Sequence, residues 1–290
     1  MEITRNRDTR TISLSQNQYL NNILERFNKS NLNPVISPSE PGIKLEKNTL
    51  QASNQDINYY QQQIGSLIYL ATKTRPDIAY QVNNCARFMS NPNKSHYSAL
   101  ERIWKYLVNK KYNLVFRTKQ SVLPISNNFK LIGYVDADWG GDLVNRKSTT
   151  GYIFTINNTP ISWSSKLQKS VALSSCEAEY MALKEAVKEF IYLINILKSL
   201  DIHKDNSSYY LFSDNQSAIK LAKNPEYHSK SKHIDIQYHY VREKILEGII
   251  DLNYINTKDQ PADIFTKSLN TNTFKDALRF LNLEDVKSLE

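Results

Sequence analysis

Four acids in the second half of the chain stand where strands meet helices: Asp136, Glu179, Asp214 and Asp263. Asp136 lies in the strand-like run from Leu131 to Asp138, and Asp214 follows the run from Tyr209 to Ser213. In open α/β sheets, ligands gather at the ends of strands. Several carboxylates in one place repel each other and stay charged together only beside a cation. Mg²⁺ fills that role, using one or two carboxylates per ion and keeping several waters. Each acid also has a plainer use. Asp214 can cap a helix beginning at Asn215-Gln216-Ser217-Ala218, and Glu179 and Asp263 can serve as first-turn acids that favour a helix N-terminus.

Helical phase separates two neighbouring glutamates. Ser174-Ser175-Cys176-Glu177 has the spacing of a capping box, with Ser at the cap and Glu three residues later. The face of Glu177 continues through Met181, Lys184 and Lys188 and reads as largely solvent-facing. The face of Glu179 continues through Leu183, Ala186, Phe190, Leu193 and Leu197, which is a core stripe. A carboxylate at the head of that stripe points toward the sheet, and burying its charge calls for a cation. Glu177 is therefore the expected cap and Glu179 the expected ligand.

The elements that must hold these acids follow from changes in periodicity. Residues 1–15 read as a hairpin turning at Asn6-Arg7-Asp8. Helices are predicted over 16–29, 58–73, 77–90 and about 95–109, with apolar residues spaced three and four apart. Residues 33–55, with Pro34, Pro38 and Pro41, read as extended or loop. The polar stretch 118–129, broken by Pro124, marks a domain boundary, giving domains 1–125 and 126–290. Beyond it the order is three strands (131–138, 151–156, 160–164), a long helix (175–200), a strand (209–213), helices at 215–223 and 231–247, a strand (249–255) and a last helix near Pro261. The second and third strands meet at Asn157-Asn158. That order specifies an α/β domain with a mixed five-stranded sheet.

Composition agrees with a packed protein. Of 290 residues 40% are hydrophobic, and the formal net charge is +8. Residues 1–125 carry +9 and residues 126–290 carry −1. A basic part beside a carboxylate-bearing part suits a protein that grips a polyanion and cuts it. Cys85 and Cys176 lack metal or redox spacing, which points to a reducing compartment. No apolar signal region and no run of ~18 apolar residues occurs. The expectation is an intracellular protein, cytoplasmic or nuclear, with no membrane partner.

Six segments carry a family pattern. They are Tyr134-Val135-Asp136-Ala137-Asp138-Trp139-Gly140-Gly141-Asp142, Arg146-Lys147-Ser148-Thr149-Thr150-Gly151-Tyr152, Leu173 to Leu183, Asp214-Asn215-Gln216-Ser217-Ala218, Lys232-His233-Ile234-Asp235 and Ala262-Asp263-Ile264-Phe265-Thr266-Lys267. Together they resemble the ribonuclease H domain of copia-type (Pseudoviridae) retrotransposon Pol. Upstream, Ile64 to Leu70, Thr74-Arg75-Pro76-Asp77-Ile78 and Ile12 to Gln16 look like the end of that family's reverse transcriptase and its connection. The resemblance implies a ribonuclease H-like fold preceded by a mostly helical connection module. It implies a metal-binding quartet of Asp136, Glu179, Asp214 and Asp263.

The activity implied is cleavage of RNA in an RNA–DNA hybrid, with two Mg²⁺ ions (or Mn²⁺) about 4 Å apart. The hybrid would be read by shape and 2′-hydroxyls. Lys166, Gln168, Lys169, Lys230 and Lys232 are the expected backbone contacts, and the remaining Pol segments the expected protein partners. No adjacent Asp-Asp pair exists, so no polymerase activity is expected. The mobile His that many ribonucleases H carry just before the last Asp has no counterpart in Thr257-Lys258-Asp259-Gln260, and His233 reads as a capping or packing residue. The rival reading is an inactive remnant of a truncated element that at most binds nucleic acid, because Met1 stands where the family would still be inside the reverse transcriptase.

Overall fold

A computed structural model describes residues 1–117, 130–201, 209–224 and 232–285, with the backbone alone over 232–238. The expected boundary segment 118–129 and Lys230 lie outside the described residues, as does the side chain of Lys232. In chain order the elements are β1 (Glu2–Asn6), β2 (Thr11–Ser15), α1 (Asn17–Arg26), α2 (Asn54–Lys73), α3 (Ala79–Ala86), α4 (Lys94–Val108) and β3 (Tyr112–Arg117). There follow β4 (Leu131–Asp138), β5 (Thr149–Ile156), β6 (Thr159–Leu167), α5 (Ser175–Ser199), β7 (Tyr210–Ser213), α6 (Gln216–Lys223), α7 (Lys232–Leu246) and β8 (Asp251–Tyr254). The last two are α8 (Thr271–Phe280) and β9 (Leu283–Asp285).

These elements form two compact units, 1–119 with 267–290, and 120–266. The boundary read from sequence kept 267–290 with the second domain. In the structure this segment groups with the first unit, for a local reason. β9 adds to the edge of β3 (Leu114 opposite Leu283), and Phe274 of α8 packs edge-on against Tyr106 of α4.

The first unit packs α1 to α4 around Tyr60, Ile64, Leu67, Val82, Ile103 and Trp104, all fully buried. Each such side chain contributes about 1.5–3 kcal/mol of transfer free energy. α2 begins four residues before the expected start, because Ser53 accepts from the Asp56 amide at 3.1 Å and closes the first turn. The unit also carries a four-stranded sheet in the order β1-β2-β3-β9.

The second unit holds the mixed five-stranded sheet in the order β6-β5-β4-β7-β8. β4 pairs antiparallel with β5 and β5 with β6, while β4, β7 and β8 run parallel. This is the α/β arrangement with a mixed five-stranded sheet expected from the sequence. Asn157 and Asn158 both adopt positive φ (49° and 67°), the backbone needed for a tight hairpin between β5 and β6. α5 lays Ala182, Leu183, Ala186, Phe190 and Leu197 onto the sheet, where Val135, Phe154 and Leu211 complete the core. Expected last-helix residues 261–265 form a short 3-10 segment instead, Pro261–Phe265. Proline at its first position marks a start but does not set the length.

Candidate metal centre

The parallel neighbours β4 and β7 carry Asp136 near the end of one strand and Asp214 directly after the other. Glu179 comes to the same place from the first turns of α5. Ligand oxygens of Asp136, Glu179 and Asp214 all lie within 4.8 Å of one another. Asp136 and Glu179 are only 4% and 5% exposed, so solvent screens their mutual repulsion poorly.

Each of the three is oriented by the chain. The Ala137 amide donates to Glu179 Oε1 at 3.3 Å, and Thr257 Oγ1 donates to Asp214 Oδ2 at 2.7 Å. Thr266 Oγ1 donates to Asp136 Oδ2. Asp214 is not the cap of α6. Asn215 takes that position and accepts from the Ala218 amide at 2.9 Å.

Glu177 points elsewhere. Its Oε2 accepts from the Leu173 amide at 2.7 Å, while Ser174 Oγ accepts from the Glu177 amide at 3.1 Å. The pair satisfies donors at the start of α5, as helical phase required. The Cys176 thiol, between the two glutamates, registers the local charge. Burial pushes its pKa up, and Glu179 and Glu177 add to the shift.

Asp263 is the fourth acid. It sits buried in the first turn of Pro261–Phe265 and is not among the three that share the 4.8 Å group. Its carbonyl oxygen lies 3.2 Å from Thr266 Oγ1.

The expected nucleic-acid contacts divide. Lys166 and Lys169 are exposed along a groove of about 340 Å³ between β5, β6 and α5, which Lys184 and Lys188 also line. Gln168 is different. It is 7% exposed, and its Nε2 donates inward to Thr150 Oγ1 (3.0 Å) and to the Ala178 carbonyl (2.8 Å). It therefore ties β5 to the turn of α5 that carries Glu179, and both of its N–H groups are already engaged. Thr257, Thr266 and Gln260, which help hold the site, were not singled out from sequence. Only the closeness of Thr266 to Asp263 could have flagged it.

All three converging donors are carboxylate oxygens, the hard ligands that Mg²⁺ and Mn²⁺ prefer. The residues present thus fit such an ion. Among the described residues no helix is long and apolar enough to cross a membrane.

No family model matches the chain. It is 41% identical over 281 residues, 95% of its length, to the Retrovirus-related Pol polyprotein from transposon TNT 1-94 of Nicotiana tabacum, of which it covers 20%. It is 38% identical over 266 residues, 91% of its length, to the Retrovirus-related Pol polyprotein from transposon RE1 of Arabidopsis thaliana, covering 17% of it. The chain thus spans about a fifth of the length of these relatives. Among solved structures, LC11-RNase H1, isolated from compost, covers 51% of the chain with 98% of its own, at 16% identity and a TM-score of 0.37.

Proposed function

The chain belongs to the copia-type retrotransposon Pol polyprotein family, and on that premise we propose that its second unit is a metal-dependent ribonuclease H that hydrolyses the RNA strand of an RNA–DNA hybrid during reverse transcription. The observation that carries this reading is the convergence of Asp136, Glu179 and Asp214 at the ends of two parallel strands. Asp263 is the fourth member on the strength of the family pattern and its buried place beside Thr266. The cofactor is Mg²⁺, two ions, with Mn²⁺ able to replace it. When bound, it supplies neutralisation of the scissile phosphate's charge and activation of an attacking water. The chain's own part is to hold the acids together and oriented. Thr257 fixes Asp214, the Ala137 amide fixes Glu179, and Gln168 anchors the turn behind it. Recognition rests on the hybrid's shape and its 2′-hydroxyls.

The test is incubation of the purified chain with an end-labelled hybrid and Mg²⁺. The RNA strand is expected to be cut internally, while the DNA strand and an all-DNA duplex stay whole. A folded chain that binds the hybrid but leaves the RNA intact in saturating Mg²⁺ would overturn the catalytic reading in favour of an inactive remnant.

Lys166 and Lys169 are the proposed backbone contacts. Both are exposed, and neither forms an ion pair among the described residues, whereas Lys184 and Lys188 lie 3.5 and 3.2 Å from Glu185. Replacing either of the first two with Ala is expected to weaken hybrid binding equally for all sequences. The slope of log K against log salt should become shallower by about 1 for each lysine lost. A salt titration of hybrid affinity, monitored by fluorescence anisotropy, checks this, and an unchanged slope places the backbone elsewhere.

A further inference from the structure

We propose that Thr266 is a positioning residue for the metal centre: its buried hydroxyl fixes the Asp136 carboxylate, and Gly151 is the gap in the sheet that admits it. The inference rests on the reading of Asp136 as a metal ligand and adds a residue that sets its geometry.

Thr266 is fully buried and directly follows the Pro261–Phe265 segment. Its Oγ1 reaches both Asp136 Oδ2 and the Asp263 carbonyl. A hydroxyl has one proton to give. A carboxyl oxygen at the shorter separation is a better acceptor than the backbone carbonyl at 3.2 Å, so the hydroxyl donates to Asp136. That bond engages one Asp136 oxygen and leaves the other for a cation. A neutral donor suits this task. A Lys or Arg there would hold the carboxylate equally well but would cancel the charge that attracts the metal.

The sheet makes room for this contact. Gly151 lies directly opposite Asp136 in the β4–β5 register, so the two positions face the same side of the sheet. A Cβ on Gly151 would come within 2.6 Å of Thr266 Cγ2, 2.8 Å of Phe265 Cβ and 3.1 Å of the Ala262 carbonyl oxygen. The Pro261–Phe265 segment therefore rests on bare β5 backbone, which brings Thr266 within reach of Asp136. The other end of the segment is pinned by Gln260, whose Nε2 donates to the Val135 carbonyl at 3.0 Å. Two side chains thus clamp this turn onto consecutive residues of β4.

The experiment is a Mn²⁺ titration of the full chain followed by electron paramagnetic resonance, with thermal melting as the check on folding. Thr266→Val keeps the shape and deletes the hydroxyl. Its Mn²⁺ dissociation constant is expected to rise about 10–100-fold, the usual loss when an outer partner of a metal ligand is removed. Thr266→Ser, which keeps the hydroxyl, should stay within about threefold of wild type, a difference under 1 kcal/mol. If Thr266→Val fails to fold, Thr266→Ser and Thr266→Ala form the comparison, since they differ only in the hydroxyl. Equal Mn²⁺ affinity in wild type and Thr266→Val, or in the Ser and Ala variants, would overturn the inference alone. A folded wild-type chain that binds no Mn²⁺ would overturn the metal reading and this inference with it.

Discussion

Asp136→Asn and Glu179→Gln are each expected to cut the rate of RNA cleavage in a hybrid by at least about 10³-fold, equivalent to about 4 kcal/mol of barrier. Both changes keep the size of the side chain and remove its negative charge. The two acids are 4% and 5% exposed and share a 4.8 Å cluster with Asp214. Losing one charge there weakens the cluster that would draw a divalent ion into a buried place. Glu177→Gln is the internal control. Glu177 is two residues from Glu179, but its carboxylate faces the Leu173 amide rather than the cluster. This variant should keep its cleavage rate within about twofold, or roughly 0.4 kcal/mol of barrier. It should lose at most about 1 kcal/mol of stability as the cap weakens. The measurement is cleavage of a labelled hybrid at several Mg²⁺ concentrations, beside a denaturant melt of each variant. If Glu177→Gln were dead and Glu179→Gln active, the assignment of the two faces would be reversed. Equal activity in wild type and Asp136→Asn would point to a contaminating nuclease.

The choice between those glutamates was legible because helical phase is a local property: the core stripe from Leu183 to Leu197 fixes where Glu179 must point. The hairpin turn at Asn157-Asn158 was legible for a similar reason, since few residues other than Gly adopt positive φ as readily as Asn. What was lost depends on residues distant in sequence. β9 pairs with β3 across more than half the chain, and no local pattern announces the partner of a three-residue strand. Gln168 read as a surface contact because glutamine is usually exposed. Its burial follows from Thr150 and the Ala178 carbonyl, which only the folded sheet brings to it. Asp214 was open to two readings until the structure gave the cap to its neighbour Asn215. The early start of α2 was announced by Ser53 and Asp56, but the polar residues that follow hid it from a search for apolar periodicity.

The largest stability effect is expected at Asp77, in the first unit. The segment Thr74-Arg75-Pro76-Asp77-Ile78 builds the most deeply buried ion pair among the described residues. Arg75 and Asp77 have side chains 2% and 0% exposed, with Nη2 and Oδ2 2.7 Å apart. Arg75 Nε also donates to Asp77 Oδ1 at 2.9 Å, Arg75 Nη1 donates to the Lys110 carbonyl at 2.7 Å, and the Tyr106 hydroxyl donates to Asp77 Oδ2 at 2.7 Å. The cluster ties the end of α2 to α4 and the start of β3. Burial alone would lower the pKa of Arg75, but the charge and hydrogen bonds of Asp77 outweigh it and push it up. Tyr106 is pushed well up by burial and then by Asp77, so its phenol stays neutral. Asp77→Asn leaves a buried guanidinium without its counter-charge, which costs about 3–5 kcal/mol. For a unit of this size that lowers the melting temperature by roughly 10 °C or more. Arg75→Met should cost a similar amount by stranding Asp77. The double variant Arg75→Met/Asp77→Leu should be milder than either, because an apolar pair strands no charge. Hydrogen exchange over α2 and α4 reads the effect where it arises, beside the melting curve. A loss under about 1 kcal/mol in Asp77→Asn, or a double variant as unstable as the sum of the two singles, would mean that the pair is not coupled and the first unit is held by its apolar core alone.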